Sequence, residues 1–109
     1  MNIILITGAS SGIGKEFALQ MDEHFSNIDE FWLVARDYER LTALSNTLKH
    51  KCRIFACDIT QDNSLDLIED TLIIKNATVR MLINCAGYGI MGAFSEQELH
   101  NELGMIRLN

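Results

Sequence analysis

Four short apolar runs recur at similar intervals along the chain: IILI at 3–6, FWLVA at 31–35, RIFAC at 53–57 and MLIN at 81–84. They are nearly continuous rather than alternating, which predicts strands buried on both faces. Between them, apolar positions return with helical spacing: Ile13, Phe17, Met21 and Phe25, then Leu41, Leu44 and Leu48, then Leu65, Ile68 and Leu72. Each set predicts an amphipathic helix that lays one stripe on a sheet. A last segment, SEQELHNELGMIRLN at 95–109, opens with the capping-box pair Ser95 and Glu98 and carries Leu99, Leu103 and Ile106 on one face. It predicts a final helix cut short by the C-terminus. Regular alternation of strand and helix predicts a parallel sheet with right-handed crossovers. The expected fold class is α/β, a parallel sheet with helices packed on it. Without proline, repeat or low-complexity tract, residues 1–109 read as a single domain. An apolar fourth strand with an unpaired edge predicts self-association.

Composition narrows the partners. The net charge of −6 argues against nucleic-acid or anionic-membrane surfaces, because a chain without basic excess gains little from counterion release. Any anion must be captured locally. Cys52, Cys57 and Cys85 form no C-x-x-C pair, so neither a disulfide framework nor a zinc site is expected, and no metal is assigned. No stretch reaches the roughly 20 apolar residues of a membrane span, and IILI starts too early to follow a signal-peptide n-region. A reducing, cytoplasmic setting is the expectation.

The candidate chemistry begins at ITGASSGIGKE, residues 6–16. A glycine-rich turn between a buried strand and a helix presents free N–H groups and the positive end of a helix dipole to an anion. Gly8 permits a sharp turn off the strand, Gly12 lets backbone approach a pyrophosphate, and Gly14 lets the helix pack closely on the sheet. Ser10 and Ser11 add hydroxyl donors. A nucleotide-triphosphate loop, G-x-x-x-x-G-K-[ST], is the competing reading, and Gly14-Lys15 supplies its second half. Ala9 replaces its first glycine, however, and Glu16 stands where a hydroxyl must ligate magnesium. A loop with purely structural duty is the other alternative.

TGASSGIG at 7–14 resembles the T-G-x-x-x-G-x-G signature of the short-chain dehydrogenase/reductase family, and CDIT at 57–60, INCAG at 83–87 and Asn109 follow in the family's order. The resemblance implies a Rossmann-like doubly wound sheet in the order 3-2-1-4, of which the first half and the fourth strand are present, and that the Ser10–Gly14 turn, with the Ile13 backbone, contacts pyrophosphate and the adenosine ribose. It implies that Asp58 accepts a hydrogen bond from the adenine amino group, with Ile59 beside it. A carboxylate at 58 is equally suited to cap the following helix. Asn84 is implied to tie neighbouring strands together, and Ala86 and Gly87 to let backbone approach the nicotinamide ribose. Cys85 replaces the motif's second asparagine and reads as a small, unreactive thiol.

Cofactor choice turns on WLVARDYER. In the family register Ala35 takes the position of the acid that binds the ribose hydroxyls of NAD, and Arg36 follows it. This favours NADP(H), through a cation on the 2′-phosphate. A two-residue slip makes Asp37 a ribose acceptor and favours NAD, but Asp37 also suits the N-cap of a helix starting at Tyr38. The resemblance further implies hydride transfer between nicotinamide and a carbonyl or alcohol carbon, with a Tyr-x-x-x-Lys pair. Four residues after Tyr38 stands Thr42, and four after Tyr88 stands Gly92. Of the family's catalytic residues only Asn109 is matched. The chain thus reads as the dinucleotide-binding part of an NADP(H)-dependent oxidoreductase, reaching a small carbonyl or alcohol substrate only when a C-terminal portion completes it. The alternative is a non-catalytic sensing or interaction module on the same fold. His24, His50 and His100 read as surface residues, and Met91 and Phe94 as loop packing or the mouth of a substrate site.

Overall fold

The computed structural model describes residues 1–85. The expected helix over 95–109 lies outside the described residues, as do Ala86, Gly87, Tyr88, Met91, Phe94, His100 and Asn109. Seven elements alternate: β1 (Asn2–Thr7), α1 (Gly12–His24), β2 (Glu30–Ala35), α2 (Tyr38–Thr47), β3 (Lys51–Ala56), α3 (Asp62–Ile74) and β4 (Thr78–Asn84). Among the described residues all strand pairs are parallel, as the apolar runs predict, and the sheet runs β3-β2-β1-β4, the order that the family resemblance implies. Register between β1 and β4 shifts once, between Ile3 and Ile4.

Successive residues of a strand point to opposite faces, so a continuous apolar run fills two cores at once. On one face Ile4, Ile6, Phe31, Leu33 and Ile83 pack with Ala18 of α1 and Leu41 and Leu44 of α2. On the other, Ile3, Leu5, Trp32, Val34 and Leu82 pack with Ile68 of α3. Burial on both faces holds for the interior strands β1 and β2. It fails along much of β3 and the first half of β4. Among the described residues β3 pairs only with β2 and β4 only with β1, so outer positions such as Arg53, Thr78 and Arg80 stay partly in water. No helix among the described residues is long and apolar enough to cross a membrane.

The expected stripe of α1 is displaced. Its buried residues are Gly14, Ala18 and Asp22, while Ile13 and Phe25 are exposed and Phe17 and Met21 are half-buried. Small residues face the sheet because the glycine turn sits directly beneath the helix, and bulk there has no room. Leu41, Leu44 and Leu48 of α2 are buried as expected, and Ile68 of α3 with them. Leu65 and Leu72 are half-buried, while Leu67, Ile73 and Ile74 face outward.

Two buried carboxylates join elements distant in sequence. Asp22 accepts from the backbone N–H of Lys49 (2.8 and 3.0 Å) and of His50 (2.9 Å), and His50 Nδ1 lies 2.7 Å from Asp22 Oδ1. The His50 ring stacks on Phe31 at 4.7 Å. His50 is therefore not the surface residue its polar neighbours suggested, because the Asp22 carboxylate draws its ring inward. His24 is exposed. On the opposite side of the sheet Glu30, 4% exposed, accepts from Trp32 Nε1 at 2.9 Å and Arg53 Nε at 3.2 Å. Burial pushes the Glu30 carboxyl up, but the indole and guanidinium outweigh it and leave its pKa below the ordinary value.

A carboxyl with a depressed folded pKa contributes stability that is complete above its unfolded value and is lost as pH falls through the folded one. For Glu30 that loss begins as pH drops below the ordinary 4.5. Glu30→Gln is expected to cost about 1.5–3 kcal/mol at neutral pH, the value of a charged hydrogen bond. The gap between wild type and variant should narrow as pH is lowered past 4.5. Denaturant melts followed by the emission of Trp32, the chain's single tryptophan, measure both effects.

Candidate functional site

Where β1, β2 and β3 end, the loops that follow them, with Cys85 after β4, border an open groove of about 1020 Å³. Ligands of open parallel sheets bind at this edge, where strand order reverses between β1 and β4. One wall is the glycine turn. It is pinned by Gly8 N–H to Val34 O at 2.8 Å and by Ala9 N–H to the same oxygen at 3.3 Å, so β1 and β2 fix its position together. Gly8 (φ 68°) and Gly12 (φ 57°) both take left-handed backbone, which residues with a Cβ adopt only at a cost. A Cβ on Gly14 would overlap the carbonyl oxygen of Gly8 and lie 2.8 Å from its carbon. A Cβ on Gly12 would meet nothing within 4 Å, so that glycine faces open space above the turn.

The start of α1 differs from the other two helix starts. At α2, Asp37 Oδ1 accepts from Arg40 N–H at 3.1 Å, and Glu39 adds a second acid to the first turn. At α3 the first turn carries Asp62. At α1 the N-cap Ser11 makes no side-chain cap bond, and the first turn holds no acid. Its N–H groups and dipole are directed into the groove without an internal anion to satisfy them.

The far wall carries charge of both signs. Arg36, Asp37 and Arg40 follow β2, and Asp58 and Thr60 follow β3. Arg40 Nε lies 3.4 Å from Asp37 Oδ2. Asp58 Oδ1 accepts from the Thr60 hydroxyl (2.7 Å) and the Thr60 N–H (3.0 Å). Those two bonds, with the charge of Arg36, hold the Asp58 carboxyl below its ordinary value. Asp58 does not cap α3, whose N-cap is Gln61. Cys57 and Cys85 line the groove at its two ends. Burial pushes both thiols up, so neither supplies a thiolate at neutral pH.

Gly8, Ser10, Ser11, Gly12, Ile13, Gly14, Arg36, Asp58 and Ile59, scattered over three loops in sequence, thus line one groove. Asn84 stands behind it, where its Oδ1 accepts from the Thr7 hydroxyl at 2.6 Å and joins β4 to β1. Ala86, Gly87 and Asn109 lie outside the described residues. Arg40 and Thr60 were not anticipated. Arg40 lies one helical turn beyond Arg36, and Thr60 lies two residues beyond Asp58, the spacing of a side-chain turn. A nucleotidyl dinucleotide fits this groove on three observations: amides without an internal anion, an open approach over Gly12, and cations at the opposite end.

A family model described as short chain dehydrogenase matches residues 2–109. Among curated proteins, a 3-ketodihydrosphingosine reductase of Dictyostelium discoideum is 30% identical over 87% of this chain and 33% of its own length. A very-long-chain 3-oxoacyl-CoA reductase of Ajellomyces capsulatus is 35% identical over 76% of this chain and 25% of its own. The chain therefore spans a quarter to a third of the length of these relatives. Among solved structures, L-sorbose reductase from Gluconobacter frateurii, complexed with NADPH and L-sorbose, superposes with a TM-score of 0.69 at 25% identity, over 96% of this chain and 44% of that one.

The turn makes a prediction that opposes helix propensity. Alanine in place of a helical glycine ordinarily stabilises by about 1 kcal/mol. Gly14→Ala is expected instead to destabilise by at least the ~1–3 kcal/mol of overpacking, since the atom it would displace is backbone. Gly12→Ala should cost about 1–2 kcal/mol, for left-handed backbone alone. Urea midpoints of the two variants rank them, and a Gly14→Ala chain as stable as wild type would contradict the close approach.

Proposed function

The chain belongs to the short chain dehydrogenase family, and on that footing we propose that residues 1–109 are the dinucleotide-binding part of an NADP(H)-dependent oxidoreductase. The observation that carries the reading is the acid-free, uncapped start of α1, which opens onto the same groove as Arg36. Backbone N–H groups of Gly12, Ile13 and Gly14, with the Ser10 and Ser11 hydroxyls, hold the pyrophosphate. Arg36, with Arg40 nearby, takes the 2′-phosphate as a charge-assisted pair. Asp37 is engaged with the α2 N-terminus and with Arg40, which supports NADP over NAD. Asp58, whose Oδ1 is held by Thr60, turns its carboxylate to the adenine amino group. Asn84 keeps β4 against β1, and Ala86 and Gly87 are the positions that the family pattern assigns to the nicotinamide ribose.

When bound, the nicotinamide supplies or accepts the hydride. The protein's remaining task is to move a proton at the substrate oxygen, a step that general acid catalysis typically accelerates by ~10²–10⁴-fold. No Tyr-x-x-x-Lys pair occurs within these residues, so they bind and orient rather than transfer a proton. Asn109 is the one position that matches the family's catalytic set. The two curated relatives are named as reductases of 3-keto and 3-oxoacyl compounds, which makes 3-keto compounds the substrate class to test first on a protein that includes the proton-transfer residues.

Arg36→Ala is expected to weaken NADPH binding by about 1.5–3 kcal/mol while leaving NADH binding nearly unchanged. Calorimetric titration of both cofactors against both proteins measures the difference, and equal losses would transfer the specificity role to Asp37. In the same preparations, NADPH with a panel of 3-keto substrates should show binding without turnover. Saturable oxidation of NADPH abolished by Tyr88→Phe would overturn the assignment of these residues to binding alone.

A further inference from the structure

The helix whose N-terminus faces the groove is held at two points. At its start, Gly14 rests on the Gly8 backbone. Along its middle Ala18 is fully buried, and Phe17, Leu19 and Met21, partly buried, pack against the same core. At its far end Asp22 binds the turn before β3 through Lys49 N–H, His50 N–H and the His50 ring. The side chains of this pair are 5% and 13% exposed. The ring in turn stacks on Phe31, which is wholly buried in β2. Glu23, beside it, meets Lys49 at 3.4 Å, but that pair is open to solvent and holds little. Apolar packing of this kind is non-directional, so the close backbone contact at one end and the directed hydrogen bonds at the other set the tilt of the helix.

We infer that Asp22, gripping the Lys49–His50 turn, is a positioning residue for pyrophosphate binding: it aims the amides at the start of α1 from ten residues away, about 15 Å along the helix. The inference rests on the reading that this groove takes a dinucleotide. Asp22 touches no ligand in that reading. Its bonds anchor α1 to β2 through His50 and Phe31, and β2 also anchors the glycine turn through Val34 O. Both ends of the helix are thereby referred to one strand. Freeing the far end lets the near end pivot about Gly14, and the hydrogen bonds of the first turn lose their common direction.

A selective loss tests this. NADP⁺ reaches both the pyrophosphate end and the adenosine end of the groove, whereas adenosine 2′-monophosphate reaches only Arg36, Arg40 and Asp58. Both are titrated by calorimetry against wild type, Asp22→Leu and Glu30→Gln, each at a temperature where the protein is folded by circular dichroism. Asp22→Leu is expected to weaken NADP⁺ about three- to tenfold, the size of a helix-terminus contribution, and to leave adenosine 2′-monophosphate unchanged. Glu30→Gln, which loosens the opposite face, should change neither. Equal weakening of both ligands by Asp22→Leu, or the same loss in Glu30→Gln, would reduce Asp22 to general stability and overturn the proposal. If Asp22→Leu does not fold, His50→Ala keeps the backbone bonds to Asp22 and removes the ring, and must show the same selective loss at smaller size; no loss there overturns it equally. A wild type that binds NADP⁺ no more tightly than adenosine 2′-monophosphate would instead defeat the dinucleotide reading itself.

Discussion

The approach of Gly14 to the Gly8 carbonyl is the constraint on which the rest of this structure depends. It brings α1 so near the end of β1 that no side chain fits between them. Three consequences follow from that one contact. The helix start is carried over the C-terminal edge of the sheet, where its free amides open into the groove. The turn must take left-handed backbone at Gly8 and Gly12 to complete the reversal. The helix must also face the turn with small residues, so that its larger side chains, Phe17, Leu19 and Met21, pack on the core from its flanks.

Charge is distributed in keeping with this. The chain is acidic overall, yet the first turn of α1 is free of acids while the starts of α2 and α3 carry them. An anionic ligand is therefore met by local dipoles and by Arg36 and Arg40 rather than by a general positive field. The two buried carboxylates work in the opposite sense, inward. Asp22 and Glu30 sit beneath different faces of the sheet, and each is satisfied by donors from a segment more than twenty residues away. Such groups are costly to bury and specific in their partners, so they favour one arrangement of helix and strand over near alternatives.

Much of this was readable from the chain itself, and the reasons are physical. A parallel strand covered on both sides must be apolar throughout, so β1 and β2 stand out as unbroken runs, whereas the sheet order was legible only through the resemblance carried by the glycine turn. The glycine turn was readable because positive φ and close approach each demand a residue without a Cβ. Leu41, Leu44 and Leu48 marked their buried stripe because α2 packs by ordinary side-chain bulk. α1 was legible in part: Phe17 and Met21 of its expected stripe pack on the core, but the most buried positions are Gly14, Ala18 and Asp22, and Ile13 and Phe25 at the ends of the stripe are exposed. His50 misled because its partner stands 28 positions away and nothing local signals it. Arg40 and Thr60 went unnoticed because a groove built from three loops has no single sequence window. The fading of burial along β3 and β4 depends on which strands have a neighbour, a property of the assembled sheet.

The position of β4 also bears on how the molecule comes together. β1, β2 and β3 are neighbours in sequence and in space, so each pairing closes a loop of a few tens of residues. β4 must instead return past both to reach β1, and the Thr7–Asn84 bond spans 77 positions. Loop-closure entropy makes such a long-range pairing late on average. The reversal of strand order beside the glycine turn is then among the last features to form during folding. Until β4 arrives, the β1–β2–β3 layer offers the groove residues that follow β2 and β3, Arg36 and Asp58, without the strand that bounds the other end. Native-state hydrogen exchange would register this as weaker protection of β4 amides than of β1 amides, with ligand closing the gap.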